Sequence, residues 1–335
     1  MFTINILKIY TMRIIGMSTS VISYTIVIPK LTSNIGAYGI YSVVISLLML
    51  FQFADLGFLG AGQKYAAECF SRGDKEGEIK ILSFVHFILF MVVLVLIVVL
   101  FCVYLNPDIV FNDLEQRDVS LAKRLILVFL FFSPVIIMQR FVSAVFAIRI
   151  EDYIKQAVDI SVNSIIIIST FYFFNGDNYD LVGYIFFMQL MYLIAVLIST
   201  MIIKLRYKYN FALFVKSFRF NNKIFKQTKK MAITSITITG TWILYYELDS
   251  VYASKLYNVQ TAAFLAIGIT LLTFSRSLMN MFFGPFQVKF NQLRGLKDEK
   301  ALSYWFLRLI EWSFPISIIP TIVIIILMRP LIVKD

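Results

Sequence analysis

Apolar residues in this chain run in long unbroken stretches, without the period of two or of 3.6 that marks a half-buried strand or an amphipathic helix. Ile81–Leu105 holds no Lys, Arg, Asp or Glu and is apolar on every face. A helix needs about 20 mostly apolar residues to cross about 30 Å of hydrocarbon. Nine stretches meet that length, near 4–28, 38–60, 81–105, 121–147, 154–174, 181–203, 231–248, 260–283 and 303–328. A lipid-spanning barrel would need short alternating segments instead. The pattern predicts an all-α polytopic membrane protein with about nine transmembrane helices. The first run is expected to be retained, because Lys8 and Arg13 interrupt it and no small-x-small cleavage site precedes Pro29-Lys30.

Composition agrees and removes several alternatives. Of the 335 residues, 59% are apolar and 15% charged, against roughly 45–50% and roughly 25% in soluble domains. One histidine (His86) and two cysteines (Cys69, Cys102) supply neither a His/Cys metal cage nor a disulfide framework. Gly57 to Lys64 has the glycine spacing of a phosphate-binding loop, but Gln63 stands where that motif needs lysine and no strand precedes it. His86 has no nucleophile near it in sequence and reads as a packed or interfacial side chain.

Charge orients the helices, since Lys and Arg are retained on the cytoplasmic side. The N-terminus with loops near 61–80, 148–155, 204–230 and 284–302 holds 21 Lys/Arg and 8 Asp/Glu. The opposite loops and the C-terminal end hold 7 bases (Lys30, Arg117, Lys123, Arg124, Lys255, Arg329, Lys334) and 9 acids. The N-terminus is therefore expected in the cytoplasm. The net charge of +11 reports this topology and attraction to anionic lipids, with no nucleic-acid binding implied. Loop 204–230 carries nine Lys/Arg and no acid. Its bases Lys216, Arg219, Lys223, Lys226 and Lys230 recur at helical spacing, with Phe211, Phe214, Phe218 and Phe225 on another face. That is the pattern of an amphipathic helix on the cytoplasmic leaflet, although a positive-inside linker explains the charge equally well.

A weak internal repeat suggests the architecture. Sliding the sequence by 225 residues sets Lys30-Leu31 on Lys255-Leu256, Asp55 on Asn280 and Lys64-Tyr65 on Lys289-Phe290. The implied unit has six helices. It divides the chain into a six-helix N-terminal lobe (1–203), a basic cytoplasmic linker (204–230) and a partial C-terminal lobe of three helices (231–335). Two full lobes need twelve helices, so a truncated gene product and a weak or inactive transporter are expected. A true nine-helix protein is the alternative.

Specific residues carry a family resemblance. Tyr24 to Leu31 (YTIVIPKL), Gly36 to Tyr41 (GAYGIY), Phe53 to Phe58 (FADLGF) and Lys64 to Glu68 (KYAAE) resemble the N-terminal signature of Wzx-type O-antigen flippases. These belong to the multidrug/oligosaccharidyl-lipid/polysaccharide superfamily. Tyr246 to Asp249, Lys255-Leu256 and Ala262 to Phe264 resemble that family's seventh-to-eighth helix junction. The resemblance implies two lobes around a central vestibule in the bacterial inner membrane. It also implies a lipid-linked oligosaccharide as substrate, an undecaprenyl diphosphate moved to the periplasmic leaflet during lipopolysaccharide O-antigen synthesis. Coupling to a proton or sodium gradient, no bound cofactor, and contacts with other polysaccharide-assembly proteins would accompany it.

An anionic diphosphate calls for cations at membrane depth. The candidates are Arg13, Arg140 and Arg276. Arg13 lies about 24 Å below Pro29 at 1.5 Å per residue, on a helix whose Gly16, Ser20, Ser23 and Tyr24 suit a cavity wall. It equally suits snorkelling to headgroups. Arg140 and Arg276 either meet a substrate phosphate or are neutralised by Asp55 and Asp159, because an unpaired arginine at the bilayer centre costs about 2.5–3.5 kcal/mol. Asp55, Asp159 and Asp249 are candidate ion-coupling or structural carboxylates. Asp249 more simply caps a helix end, and Arg308 and Glu311 at i,i+3 satisfy each other.

Two other classes fit the sequence less well. A membrane glycosyltransferase or polymerase using Glu247 and Asp249 would need a sizeable external loop, and the longest here runs from about Pro107 to Ser120. A drug/cation antiporter of the same superfamily would place acids in its vestibule, whereas Arg140 and Arg276 are bases.

Overall fold

The computed structural model describes residues 2–52, 57–111, 116–175, 179–242, 248–270, 272–273 and 299–332. Among them every regular element is a helix. In order these are α1 (Phe2–Leu31), α2 (Ile35–Gln52), α3 (Phe58–Ser71), α4 (Lys75–Leu105), a 3-10 turn (Pro107–Ile109), α5 (Gln116–Ile148) and α6 (Asp152–Phe173). They continue with α7 (Leu181–Tyr207), α8 (Phe211–Lys216), α9 (Asn222–Trp242), α10 (Asp249–Leu256), α11 (Val259–Thr270) and α12 (Glu299–Ile332).

Among the described residues, five helices are long and apolar enough to span a bilayer: α1 from Leu7, α4, α5, α6 and α7. Parts of α2 (Ile35–Leu48) and α11 are shorter apolar helices. The spanning helices turn apolar side chains outward, with Val95 and Val98 of α4, Ile168 of α6 and Met201 of α7 each more than 60% exposed. A soluble protein does not leave such continuous apolar surface in water. The chain is a multi-pass membrane protein.

Short polar side chains start the helices by accepting from orphan backbone N–H groups. Asp74 Oδ1 accepts from Gly77 N at 2.8 Å, and Asp180 Oδ1 accepts from Gly183 N at 2.8 Å. Asn210 does the same for Leu213 at 2.9 Å, and Asn258 for Thr261 at 2.8 Å. These caps fold the chain back sharply. The segment near 61–80, expected as a loop, is helical to Ser71 and turns only between Arg72 and Asp74 before α4 begins. Gly73 at φ +77° makes that turn.

The chain divides into two compact units, Met1–Ala266 and Ile267–Asp335. In the first, α1 packs on α6, α4 on α3 and α5, and α7 on α5 and α6. At one end of this unit lies a dense cluster built on Phe84, Val85, Phe141, Val145 and Phe146. The basic segment closes it. One continuous surface helix over 204–230 is not what forms: α7 ends at Tyr207, Lys208 adopts φ +50°, α8 is short, and α9 starts afresh at Asn222.

The reason is aromatic packing. The Phe214 ring lies 4.8 Å from Phe141, Phe218 lies 5.6 Å from Phe87, and Phe225 stacks on Phe58 at 5.8 Å. Ser83 Oγ also donates to the Phe214 carbonyl at 2.6 Å. The phenylalanine face is spent on protein, and the exposed face keeps Lys216, Arg219, Lys223 and Lys226. In the second unit, α12 carries the expected Arg308–Glu311 pair at 3.0 Å.

Candidate functional site

Of the three arginines read as substrate contacts, two fall within the described residues. Arg13 is half-buried on α1 and lies within electrostatic reach of Asp152 at the start of α6, without forming a salt bridge among the described residues. Lys8, earlier on the same helix, sits 5.2 Å from the Tyr153 ring. Arg13 thus belongs to the end of the bundle that the basic segment closes. Arg140 is half-buried on α5, two turns before that helix ends at Ile148. Arg276 and Asp55 lie outside the described residues.

Two of the candidate carboxylates, Asp159 and Asp249, fall within the described residues. Asp159 is paired with Lys155 one turn earlier on α6. A lysine four residues away reaches it without any rearrangement of the bundle. Asp249 is exposed in the first turn of α10, where a negative charge suits the helix dipole. His86 is buried at 1% exposure, with Nδ1 2.7 Å from the Leu82 carbonyl and its ring edge-on to Phe141 at 5.4 Å. It is a packed side chain.

Sequence reasoning missed a polar network at this same end. Glu78 in the first turn of α4 is buried, and Arg149 after α5 meets it with Nη1 2.8 Å from Oε1 and Nη2 donating to Oε2 at 3.1 Å. The Nη1 contact lies off the hydrogen-bond axis and acts as an ion pair. The guanidinium is walled by Phe70 at 4.9 Å and Tyr207 at 4.7 Å. Glu151 accepts from Arg206 Nε at 3.0 Å and Nη2 at 2.9 Å, and from the Tyr207 hydroxyl. Burial would raise the Glu151 carboxyl, but those donors outweigh it and hold it below the usual glutamate range. Burial, then the Glu78 charge, pushes the Tyr209 hydroxyl well up. The only signal in sequence was that these charges flank the ends of apolar runs.

The opposite end of the unit holds an open cavity of about 540 Å³ between the α1–α2 turn, the start of α5 and the start of α7. Asn34, Arg117, Asp118, Ser120, Arg124 and Asp180 contribute its polar lining. A second cavity of about 480 Å³ adjoins it and shares Ser120 and Arg124. Tyr179 beside it donates to the Leu31 carbonyl at 2.8 Å and fixes the α6–α7 connection. Among the described residues, no cluster of His, Cys, Asp and Glu is arranged to hold a metal.

Helix order and packing match a known architecture. The chain is similar to an inward-facing multidrug resistance MATE family transporter of the MOP superfamily, with TM-score 0.62 and 14% identity over 96% of this chain and 70% of that one. It is similar to the outward-facing form of such a transporter, with TM-score 0.62 and 16% identity over 98% and 74%. A third likeness is to a MOP superfamily transporter from Pyrococcus furiosus Vc1 (DSM3638), with TM-score 0.57 and 14% identity over 97% and 72%. That protein's binding pocket is described as having reverse polarity, suggesting a different function. No family model and no curated protein matches the sequence. The chain has the MATE-like transporter fold, the class that the multidrug/oligosaccharidyl-lipid/polysaccharide resemblance implied.

Proposed function

We propose that the protein is a transporter of the bacterial inner membrane that flips a lipid-linked oligosaccharide from the cytoplasmic to the periplasmic leaflet by alternating access. The carrying observation is the sign of the charge inside the spanning helices. Arg13 and Arg140 are half-buried on the apolar helices α1 and α5, whereas the acid Asp159 on α6 is held by Lys155. A guanidinium binds phosphate through a two-pronged fork, which suits arginines on spanning helices to an anionic cargo. A diphosphate headgroup supplies that anion.

A drug/cation antiporter is the second reading, and the multidrug resistance transporters of the same fold favour it. It needs an available carboxylate, which Asp152 at the start of α6 could supply, since Asp159 is already paired. The Pyrococcus protein supports the view that this fold accommodates pockets of differing polarity. The sequence resemblance to O-antigen flippases then favours the oligosaccharide over other anions.

The experiment is complementation of a flippase-deficient strain. Arg140→Ala should abolish surface-polysaccharide export at near-normal membrane abundance, with Arg140→Lys rescuing in part because it keeps the charge and loses the fork. Arg276→Ala is expected to behave alike. Drug efflux from cells carrying the protein, unaffected by Arg140→Ala, would overturn the reading in favour of the antiporter.

A further inference from the structure

Two general rules disfavour bases where Arg117, Lys123 and Arg124 stand. The face opposite the basic segment is the one on which Lys and Arg are depleted, and these three are nearly half of the seven bases counted there. Arg117 also lies in the first turn of α5, where the helix dipole repels cations.

Other bases on that face have structural work. Lys30 Nζ donates to the Phe174 carbonyl at 3.0 Å, Lys255 Nζ donates to the Asp108 carbonyl, and Lys123 sits 5.8 Å from the Tyr104 ring. Arg117 and Arg124 form no salt bridge among the described residues and are exposed at the 540 Å³ cavity. They are seven residues apart, two turns of one helix, with Ser120 between them on the same side.

The cavity is not simply basic. Asp118 and Asp180 share its lining with Asn34 and Ser120. Asp180 Oδ1 is engaged by Gly183 N, which leaves its other oxygen as an acceptor. Guanidiniums suit a phosphate, and carboxylate, amide and hydroxyl groups suit the hydroxyls of a sugar. A bare anion would be repelled by the two acids, and an organic cation by the two arginines.

We infer that this cavity is a binding site for a glycosyl phosphate, a phosphate ester bonded to a polyhydroxylated ring. This deepens the flippase reading and rests on it for the ligand's origin: the site would receive the sugar–phosphate junction of the flipped lipid at the outer surface. Arg117 and Arg124 grip the phosphate, Asp118 and Asp180 accept from sugar hydroxyls, and Asn34, whose Oδ1 already accepts from Ala37 N at 3.0 Å, donates its amide N–H to the sugar.

The test uses purified full-length protein with Cys102→Ser and Ser120→Cys, in phosphatidylcholine nanodiscs. The labelling rate at position 120 with an impermeant maleimide is measured with N-acetylglucosamine 1-phosphate, with N-acetylglucosamine, or with inorganic phosphate. The sugar phosphate should slow labelling about tenfold or more, and at lower concentration than either half alone. Arg117→Gln or Arg124→Gln should weaken that protection about tenfold, equivalent to 1.4 kcal/mol, taken as the ratio of protected to unprotected rate within each variant because a neighbouring guanidinium also speeds the thiol itself, while leaving the melting temperature unchanged. Arg124→Lys should retain part of the protection.

No protection by the sugar phosphate, protection equal to that of inorganic phosphate, or protection surviving both glutamine variants would each overturn the site. Equal slowing in phosphatidylglycerol nanodiscs without added ligand would assign it to bulk lipid headgroups and also overturn it. Because the readout needs no transport, protection without export would sink the flippase reading alone, and export without protection would sink the site alone.

Discussion

At Gly57 the backbone takes φ +70°, and a Cβ there would come within 2.2 Å of Ser235 Cβ and 2.8 Å of the Ala232 carbonyl oxygen. Gly57→Ala therefore meets both the left-handed penalty of about 1–2 kcal/mol and a collision between α3 and α9. It should lower the melting temperature of the purified protein by several degrees, whereas Gly60→Ala, with open space around it, should be neutral. Glu151 gives a pH signature. Its folded-state affinity for the proton is depressed, so its contribution is full above the ordinary glutamate range near pH 4.3 and is lost as pH falls through the lower folded value. Melting temperatures of the parent and of Glu151→Gln should differ at neutral pH and converge as the solution is acidified below pH ~4. A gap constant across that range would show that the carboxylate is not the group responsible. At this scale the sequence did not single out the caps: Asp74, Asp180, Asn210 and Asn258 each stand immediately before a helix, a place that apolar runs alone do not mark. It was uninformative about ion pairs across helices. Glu78 and Arg149 are 71 positions apart, and nothing in local pattern joins them.

Between elements, the buried pair of Glu78 and Arg149 is the joint that sets α4 against the end of α5. Removing one partner leaves a charge in an apolar setting, a loss of roughly 3–5 kcal/mol. Glu78→Gln or Arg149→Met should each reduce folded yield strongly, and the double variant should recover part of it. A double variant as poor as the worse single one would mean that the rings of Phe70 and Tyr207, more than the charges, make this joint. Helix positions were legible because spans such as Ile81–Leu105 are apolar throughout. The break between α8 and α9 was not, because the same phenylalanine spacing suits a lipid surface and a protein groove. Only the presence of Phe141, Phe87 and Phe58 opposite decides between them.

For the whole molecule, topology is the sharpest expectation. With Cys102→Ser as background, a cysteine placed at Asn222 should be reached by impermeant reagents only after the cells are opened, and one placed at Ser120 in intact cells. Labelling of Asn222→Cys in intact cells would reverse the orientation and move the cavity to the cytoplasmic face. The fold class was readable from hydropathy and charge alone, and the helices adopt a fold similar to that of solved MATE family transporters. The cavity beside Arg117 and Arg124 was not readable, since those bases looked like ordinary loop charge until the α1–α2 turn and the start of α7 were brought against them.

The rings of Phe214, Phe218 and Phe225 also impose an order on biosynthesis. The groove they fill is lined by side chains from α3, α4 and α5, all of which leave the ribosome well before residue 214 is joined to the chain. Until then Phe58, Phe87 and Phe141 lack the rings of the basic segment that cover them, and the first seven helices reach the bilayer with an uncovered apolar opening at one end. A nascent chain stalled just after α7 would therefore present a patch for membrane chaperones or proteases to recognise. The eighteen residues from Tyr207 to Phe225 would hide it once they had cleared the ribosome.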